Sequence, residues 1–486
     1  MKISSIFAIL TASAILAACD FLDEYNPNSV TVGNYYTSEE DIVASLNGVY
    51  TSLTQGYVAN NNHYFTDVRA NTTVVTSSGA NSGIPYQFYN YTLTEENVYV
   101  YNRYSQLYKI ISRANTLFAH LGDVSYAAPS ARDTYEAEAR FLRALAYYWL
   151  VTEWGDVPLV LKALESAEEV RANNYRRLKA EVYQAIFDDL KYVTESPLAD
   201  VQPASACGKV SKSAAWALWG KALLQQACDE DFVSSKSELL GQAIEKLTAA
   251  WNLRKFGELA SVPYSAIWDL STQKSCAENI FQINYIQGNA DLGSVWNYLY
   301  GPEGTGVTSQ KKGEMQNVTT QAVYDSFETG DVRRSFLRAT NMAGQTYYHT
   351  MKYADLECGA NGYGGNNWIV LRYADVALML AEAYYWSEEE TLAKTWLNKV
   401  RERAGLGDWS GSDLRQGIYN ERLHEFMQEG LRWQDLLRMY DRTEMLEHFS
   451  AINSNFSLKD LLLPIPYNER ILNPEGLYQN PGYGDN

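Results

Sequence analysis

The chemistry that residue types announce first is at Cys19. It closes the run Leu16-Ala17-Ala18-Cys19, after Lys2 and an apolar stretch from Ile3 to Leu16. A basic start, an apolar middle and small residues before a cut have the order of a secretory signal. A cysteine at the cut, in place of a third small residue, looks like a bacterial lipobox: residues 1–18 are removed and the Cys19 sulfur carries lipid. The apolar stretch is broken by Ser4, Ser5, Thr11 and Ser13 and is shorter than the roughly 20 residues that span a bilayer. No later segment reaches that length without charges, so the chain is expected to be held at a membrane by its lipid alone. One acyl chain anchors only marginally, whereas a diacyl or triacyl cysteine anchors stably.

Other chemistries are poorly represented. There is no GxxxxGK[ST], no GxGxxG after a strand and no GxSxG elbow, and His424-Glu425 lacks the second histidine of a zincin helix. Acidic runs occur at Glu95-Glu96, Asp188-Asp189, Asp229-Glu230-Asp231 and Glu388-Glu389-Glu390. Paired carboxylates can hydrolyse glycosides, but separation in space is the criterion. With 58 acidic residues such runs arise by chance, and a solvated or structural role is the reading here. After Cys19 the cysteines are Cys207, Cys228, Cys276 and Cys358, with no CxxC among them, and there are five histidines. No metal site, EF-hand loop or cofactor is expected. Four cysteines allow three pairings, and buried free thiols are the simpler expectation.

Removing residues 1–18 of the 486 takes away one charge, Lys2, and moves the formal net charge from −18 to −19. That balance, without any Lys/Arg patch, argues against nucleic acid and against a basic face on anionic lipid. The surplus is in aromatics: 37 Tyr and 12 Trp. A tyrosine ring is an apolar plate with a hydroxyl that needs a partner. Such rings pack helices, and they also cover the flat C–H faces of sugars while Asn, Asp and Arg bond the hydroxyls.

The elements that would position these groups are mostly helices. Ser38 is a plausible N-cap with Asp41 three residues on, near a capping-box pattern, and opens a helix to about Leu53. Residues 54–98 have no helical period and read as a long, polar loop of the kind that is often functional. Helices are then expected over 103–120, 132–154, 175–194, 211–228, 239–253, 372–386, 391–404 and 414–428. In the second of these Ala137, Phe141, Leu145, Tyr148 and Thr152 share one face, and Gly155 and Pro158 end it. In 391–404 the expected stripe is Leu392, Trp396, Val400 and Ala404. Paired helices of 12–20 residues suggest tetratricopeptide-like units of irregular period. Residues 280–370 read as Gly-rich loops with a short strand pair.

Several segments taken together resemble the SusD/RagB family of Bacteroidetes outer-membrane lipoproteins. They are the acidic start Cys19–Asp23, Glu138–Ala144 leading to Trp154–Val160, Gly208–Ala215 and Glu278–Phe281. Leu371–Val376 with Ala381–Ala383 follows, then Glu421-Arg422, Glu425, Glu429-Gly430, Arg432 and Asp435-Leu436. Leu463–Pro466 through Asn480–Tyr483 closes the series. The resemblance covers essentially the whole mature chain. It implies a mostly α fold with about four tetratricopeptide-like helix pairs and a loop-rich half that carries the ligand. It implies no catalysis. The charged signature residues, Arg140, Arg143, Arg372, Asp375, Glu421, Arg422, Glu425, Arg432 and Asp435, are expected to be ion-pair and cap networks that fix helix packing.

The resemblance also places a ligand. In the family an aromatic arc comes from the loop before the second helix and from the loop after the Glu278–Phe281 strand. Here the first carries Tyr91, Tyr99 and Tyr101, with Tyr101 near where many members have Trp. The second carries Trp296 and Tyr298, alternating as on one face of an extended segment. Asp67, Arg69 and Asn71 precede the first loop and could bond sugar hydroxyls. The ligand-binding candidates are therefore Asp67, Asn71, Tyr91, Tyr99, Tyr101, Trp296 and Tyr298, with Cys19 as the lipidation site. The expected organisation is a signal at 1–18, a lipidated tether at 19–36, and parts 37–270 and 271–486 forming one compact unit. The implied function is capture of oligosaccharides at the cell surface and delivery to a SusC-like TonB-dependent outer-membrane transporter, which the helical side would face. A RagB-like peptide receptor with the same partner is the alternative, and a glycoside hydrolase a remote one.

Overall fold

The computed structural model describes residues 35–76, 83–342 and 344–484. The expected signal, Cys19 and the tether up to residue 34 lie outside the described residues. Eleven helices of eight or more residues, numbered here α1 to α11, form the body among the described residues. They are Glu39–Ser52 (α1), Val98–His120 (α2), Ala131–Trp154 (α3), Lys179–Glu195 (α4), Lys212–Ala227 (α5), Lys236–Asn252 (α6), Tyr373–Trp386 (α7), Glu390–Arg403 (α8), Leu414–Glu425 (α9), Arg432–Met439 (α10) and Arg442–Ile452 (α11). From α1 to α9, each packs on the one before it. The mostly α, helix-pair architecture read from the sequence is the one observed.

Local chemistry explains the ends. The Ser38 hydroxyl accepts from Asp41 N while the Asp41 carboxylate accepts from Ser38 N, a complete capping box at the start of α1. Ser211 caps α5 through Ala214 N. From Phe141 to Trp154 every residue of α3 is buried, so α3 is the central rod. Its alanines let α2 and α4 approach closely. The closest approach is between α5 and α6: a Cβ on Gly220 would stand 2.5 Å from Leu247 Cγ. In α8 Val400 and Ala404 of the expected stripe are buried, but Ala393 and Leu397 stand in the core where Leu392 and Trp396 were expected, and Leu392 is exposed. Trp396 flanks these buried residues and meets Trp251 edge-on at 5.0 Å.

The strands are short. Thr73–Val74 (β1) pairs with Val318–Thr319 (β5), which continues to a hairpin of Leu337–Met342 (β6) and Gln345–Thr350 (β7), in the order β1-β5-β7-β6. Val157–Pro158 (β2) pairs with Arg176–Arg177 (β3), and Asn279–Ile283 (β4) with Trp368–Arg372 (β8). The 280–370 stretch thus carries more strand than the single short pair expected. The 54–98 stretch also contains two single helical turns, Tyr64–Val68 and Tyr86–Asn90.

Most of the charged signature residues are buried and ion-paired; Arg140 is paired but half-buried, and Arg432 is buried with a carbonyl, Tyr419 O, in place of an ion pair. Arg143 grips Asp189 through both oxygens at 2.8 and 2.7 Å. Arg372 bonds Glu278, Glu425 and Glu429, while Arg333 bonds Asp331, Glu421 and Glu425. Arg422 meets Asp375, Glu382 and Asp435, and Lys221 holds the other Asp375 oxygen at 2.7 Å. Burial works against the Asp375 charge, but Lys221 and Arg422 outweigh it and hold the carboxyl well below the usual range. The four cysteines after Cys19 are free thiols, with Cys358 buried and the others half-buried.

Candidate functional site

The seven candidates do not fall in one place. Asp67 is 2% exposed: its Oδ2 accepts from Gly430 N at 3.2 Å and from Asn317 Nδ2 at 3.4 Å. Burial pushes its carboxyl up to about 7. Tyr91 is also 2% exposed, donating to Arg69 O at 2.9 Å and packed against Phe449 and Phe456. Asn71 donates to the Tyr91 hydroxyl at 2.6 Å, so this pair is engaged with itself. Trp296 is wedged between Tyr285 and Tyr353 and is 3% exposed. These four side chains hold loops to the body, and their placement by the sequence reading as ligand contacts is replaced by a packing role. The physical reason is that Asp67 Oδ2, Asn71 Nδ2 and the Tyr91 hydroxyl bond to protein groups, and the Tyr91 and Trp296 rings are buried.

Tyr99 and Tyr101 remain half-buried, but they diverge. The helix begins at Val98, not at Arg103, because Asn97 Oδ1 accepts from Tyr99 N at 2.9 Å and Val100 N at 3.1 Å. Two residues apart on a helix point roughly 200° apart around the axis. Tyr101 therefore stands on the opposite flank of α2 from Tyr99.

Tyr99 belongs to a layer built from three chain segments. Its ring meets Tyr57 at 4.9 Å and Tyr64 at 5.5 Å, both edge-on. Tyr57 is held by α2 itself. Its N–H donates to Gln106 Oε1 at 2.9 Å, and its carbonyl accepts from Arg103 Nη1 at 2.9 Å. Arg103 is fixed in turn by Glu153 of α3, at 2.5 and 2.7 Å with both groups fully buried. This bidentate pair transmits the position of the central rod to the tyrosine wall.

The layer continues into the second loop. The Tyr64 hydroxyl donates to Gln316 Oε1 at 2.9 Å, and Gln316 Nε2 donates to Glu314 Oε2 at 2.6 Å. Glu314 N donates to Tyr298 O at 2.9 Å and Gln316 N to Leu299 O at 2.8 Å. Lys311 Nζ sits 3.5 Å above the centre of the Tyr298 ring. Gly362, at φ 79°, lets the following loop close on that pair: a Cβ there would lie 2.7 Å from Lys311 Cβ and 2.8 Å from Tyr298 Cδ1. The structure thus links Tyr99 and Tyr298 through Tyr64, Gln316 and Glu314. Tyr57, Gln316, Glu314 and Lys311 are half-buried, which leaves two tyrosine edges and an amide, a carboxylate and an ammonium at one surface. Sequence reading missed Tyr57, Tyr64, Lys311, Glu314 and Gln316. The only signal for them was the tyrosine-rich, aperiodic character of 54–98.

Among the described residues no three His, Cys, Asp or Glu side chains are grouped to hold a metal ion, and no helix is long and apolar enough to cross a membrane. What the layer offers is hydrogen-bonding groups and tyrosine edges on a helical scaffold. Fold and site together define a helical-repeat binding protein. Two family models match the chain: "SusD family" over residues 337–483 and "Starch-binding associating with outer membrane" over residues 20–224. The chain belongs to the SusD/RagB family. It is similar to SusD-like protein P2 of Formosa agariphila, 28% identical over 99% of both chains. Surface glycan-binding protein A from Bacteroides thetaiotaomicron, solved in complex with laminarihexaose, shares the fold: TM-score 0.75, 21% identity, 91% of this chain and 99% of that one. A laminarin binding SusD-like protein is similar at 25% identity, with TM-score 0.76 over 92% of this chain and all of that one.

Proposed function

We propose that this protein captures neutral oligosaccharides on the tyrosine layer where Tyr57 and Tyr99 reach the surface, backed by the buried rings of Tyr64 and Tyr298. The observation that carries this reading is that the half-buried rings of Tyr57 and Tyr99 are joined through Tyr64 to half-buried Gln316 and Glu314, with half-buried Lys311 over Tyr298 beside them. Sugar rings stack on the first set and hydroxyls bond the second. The relatives solved with laminarihexaose and named for laminarin support the ligand class. The protein binds without cleaving, a reading supported by its SusD-like relatives named for binding, and Glu314 in the layer already accepts from Gln316. Cys19 is lipidated and holds the body at the outer membrane, at the cell surface. The bound sugar passes to a SusC-like TonB-dependent transporter, the partnership the family implies. Affinity electrophoresis and calorimetry against a polysaccharide panel that includes laminarin test the reading. Retardation by a β-glucan or another neutral glycan is expected. Tight binding of mixed peptides with no retardation by any glycan overturns it in favour of a peptide receptor, and release of reducing sugar overturns the non-catalytic assignment.

A further inference from the structure

A second cavity, of about 600 Å³, opens beside the C-terminal turn of α3 and shares no residue with the tyrosine layer. Its walls come from α3, α4, α5, α10 and α11 and are largely apolar, with Val151, Leu437, Met445, Leu461 and Leu462 prominent. Ligand cavities span about 300–1,000 Å³ and combine apolar walls with a few converging polar groups. Two such groups are present. The Tyr183 hydroxyl on α4 has no hydrogen-bond partner among the described residues, although the residue is 2% exposed. Gln225 on α5 is 6% exposed; its Oε1 accepts from Arg438 Nη1 at 3.1 Å, while its Nε2 has no partner among the described residues. Both residues line the cavity.

The charges around the cavity balance. Four acids, Asp156, Asp229, Glu230 and Asp231, are matched by four bases, Arg176, Lys179, Arg442 and Lys459. Most are already engaged: Lys179 Nζ bridges Asp229 at 2.5 Å and Asp231 at 2.6 Å, and Arg442 reaches Asp231 at 3.0 Å. Asp156 accepts from the Tyr478 hydroxyl at 3.0 Å and from Lys179 N at 2.8 Å. A charged ligand at the Lys179 cluster would have to break one of these pairs, whereas a neutral one would not.

We propose that this cavity is a second binding site, for an uncharged molecule with an aromatic or branched aliphatic body and a carbonyl oxygen. The oxygen accepts from Tyr183 Oη and Gln225 Nε2, and the body fills the space against Leu437 and Met445. The test uses N-acetyl-phenylalaninamide as probe, titrated calorimetrically into the mature chain from Asp20 onward. The expected result is saturable binding at millimolar probe, weakened about fivefold or more in each of Tyr183→Phe and Gln225→Leu, one hydrogen bond being lost in each. Glycan binding remains unchanged, which separates this site from the tyrosine layer. Crystals soaked with the probe should show it between Tyr183 and Gln225. The proposal is overturned if binding is absent, if both variants bind as the parent does, or if the cavity is found filled by residues of the chain itself.

Discussion

Asp67 allows a sharp test because its burial sets both the sign and the size of an effect. Its carboxyl is pushed up to about 7 by burial, against 3.8 in an unfolded chain. The folded state therefore holds this proton more tightly than the unfolded state does. The stability it contributes is fully present below pH 3.8 and is lost as pH rises toward about 7. Above that pH the folded protein keeps an ionised group among Asn317, Gly430 and the body, at a cost set by the gap between the two values. At 1.36 kcal/mol per pH unit this is about 4 kcal/mol. Asp67→Asn removes the charge and keeps an oxygen that can accept from Gly430 N. The variant should match the parent near pH 4, gain steadily over the parent between pH 4 and 7, and exceed it by about 4 kcal/mol at pH 8. Urea unfolding of both proteins across that range measures the difference, and carboxylates common to both cancel. Parallel profiles, or a gain complete below pH 5, would refute the assignment of Asp67 as a desolvated packing group. Unchanged glycan affinity in the variant is expected as well, since Asp67 presents no surface to a ligand.

Further outcomes follow from the same geometry. Tyr99→Ala should weaken glycan binding about tenfold, from about 60 Å² of ring surface at about 25 cal/mol per Å², while Tyr101→Ala on the other flank of α2 leaves it within twofold; calorimetry with laminarin oligosaccharides distinguishes the two. Asp375→Asn leaves Lys221 and Arg422 buried without their shared anion and should cost about 3–5 kcal/mol in chemical denaturation. Because Asp375 is held well below the usual carboxylate range, its contribution is present at neutral pH and lost only as pH falls below about 4, so the variant's deficit should shrink in acid. Gly220→Val forces α5 from α6 at Leu247 and should cost about 1–3 kcal/mol, read as a lowered thermal midpoint.

Much of the scaffold was legible because helices are local. Ser38 with Asp41, Ser211, and the alanine-rich run through Leu145 each specify an end or a face within a few residues. Arg422, Asp375 and Asp435 could be read as structural because clustered charges on packed helices need partners. The two late helices, Arg432–Met439 and Arg442–Ile452, escaped notice because their turns follow Gly430 and Asp441 at short spacing. In α8 the expected stripe held at Val400 and Ala404, and packing against the folded body buried Ala393 in place of Leu392.

The site was legible only in composition. The sequence by itself determined that tyrosines are abundant in residues 54–101, that the second loop carries Trp296 and Tyr298, and that Cys19 stands where a lipid would be attached. Tertiary structure decided which of those rings remain available. An aromatic side chain gains more by burial than by exposure, so Tyr91 and Trp296 were taken into the core along with Asp67's carboxyl. Tyr57 and Tyr99 stayed at the surface because Arg103, Gln106 and the Asn97 cap pin their backbones there. Glu314 and Gln316 joined them across more than two hundred residues of chain, a proximity that arises from loop closure on the folded body and has no local signature.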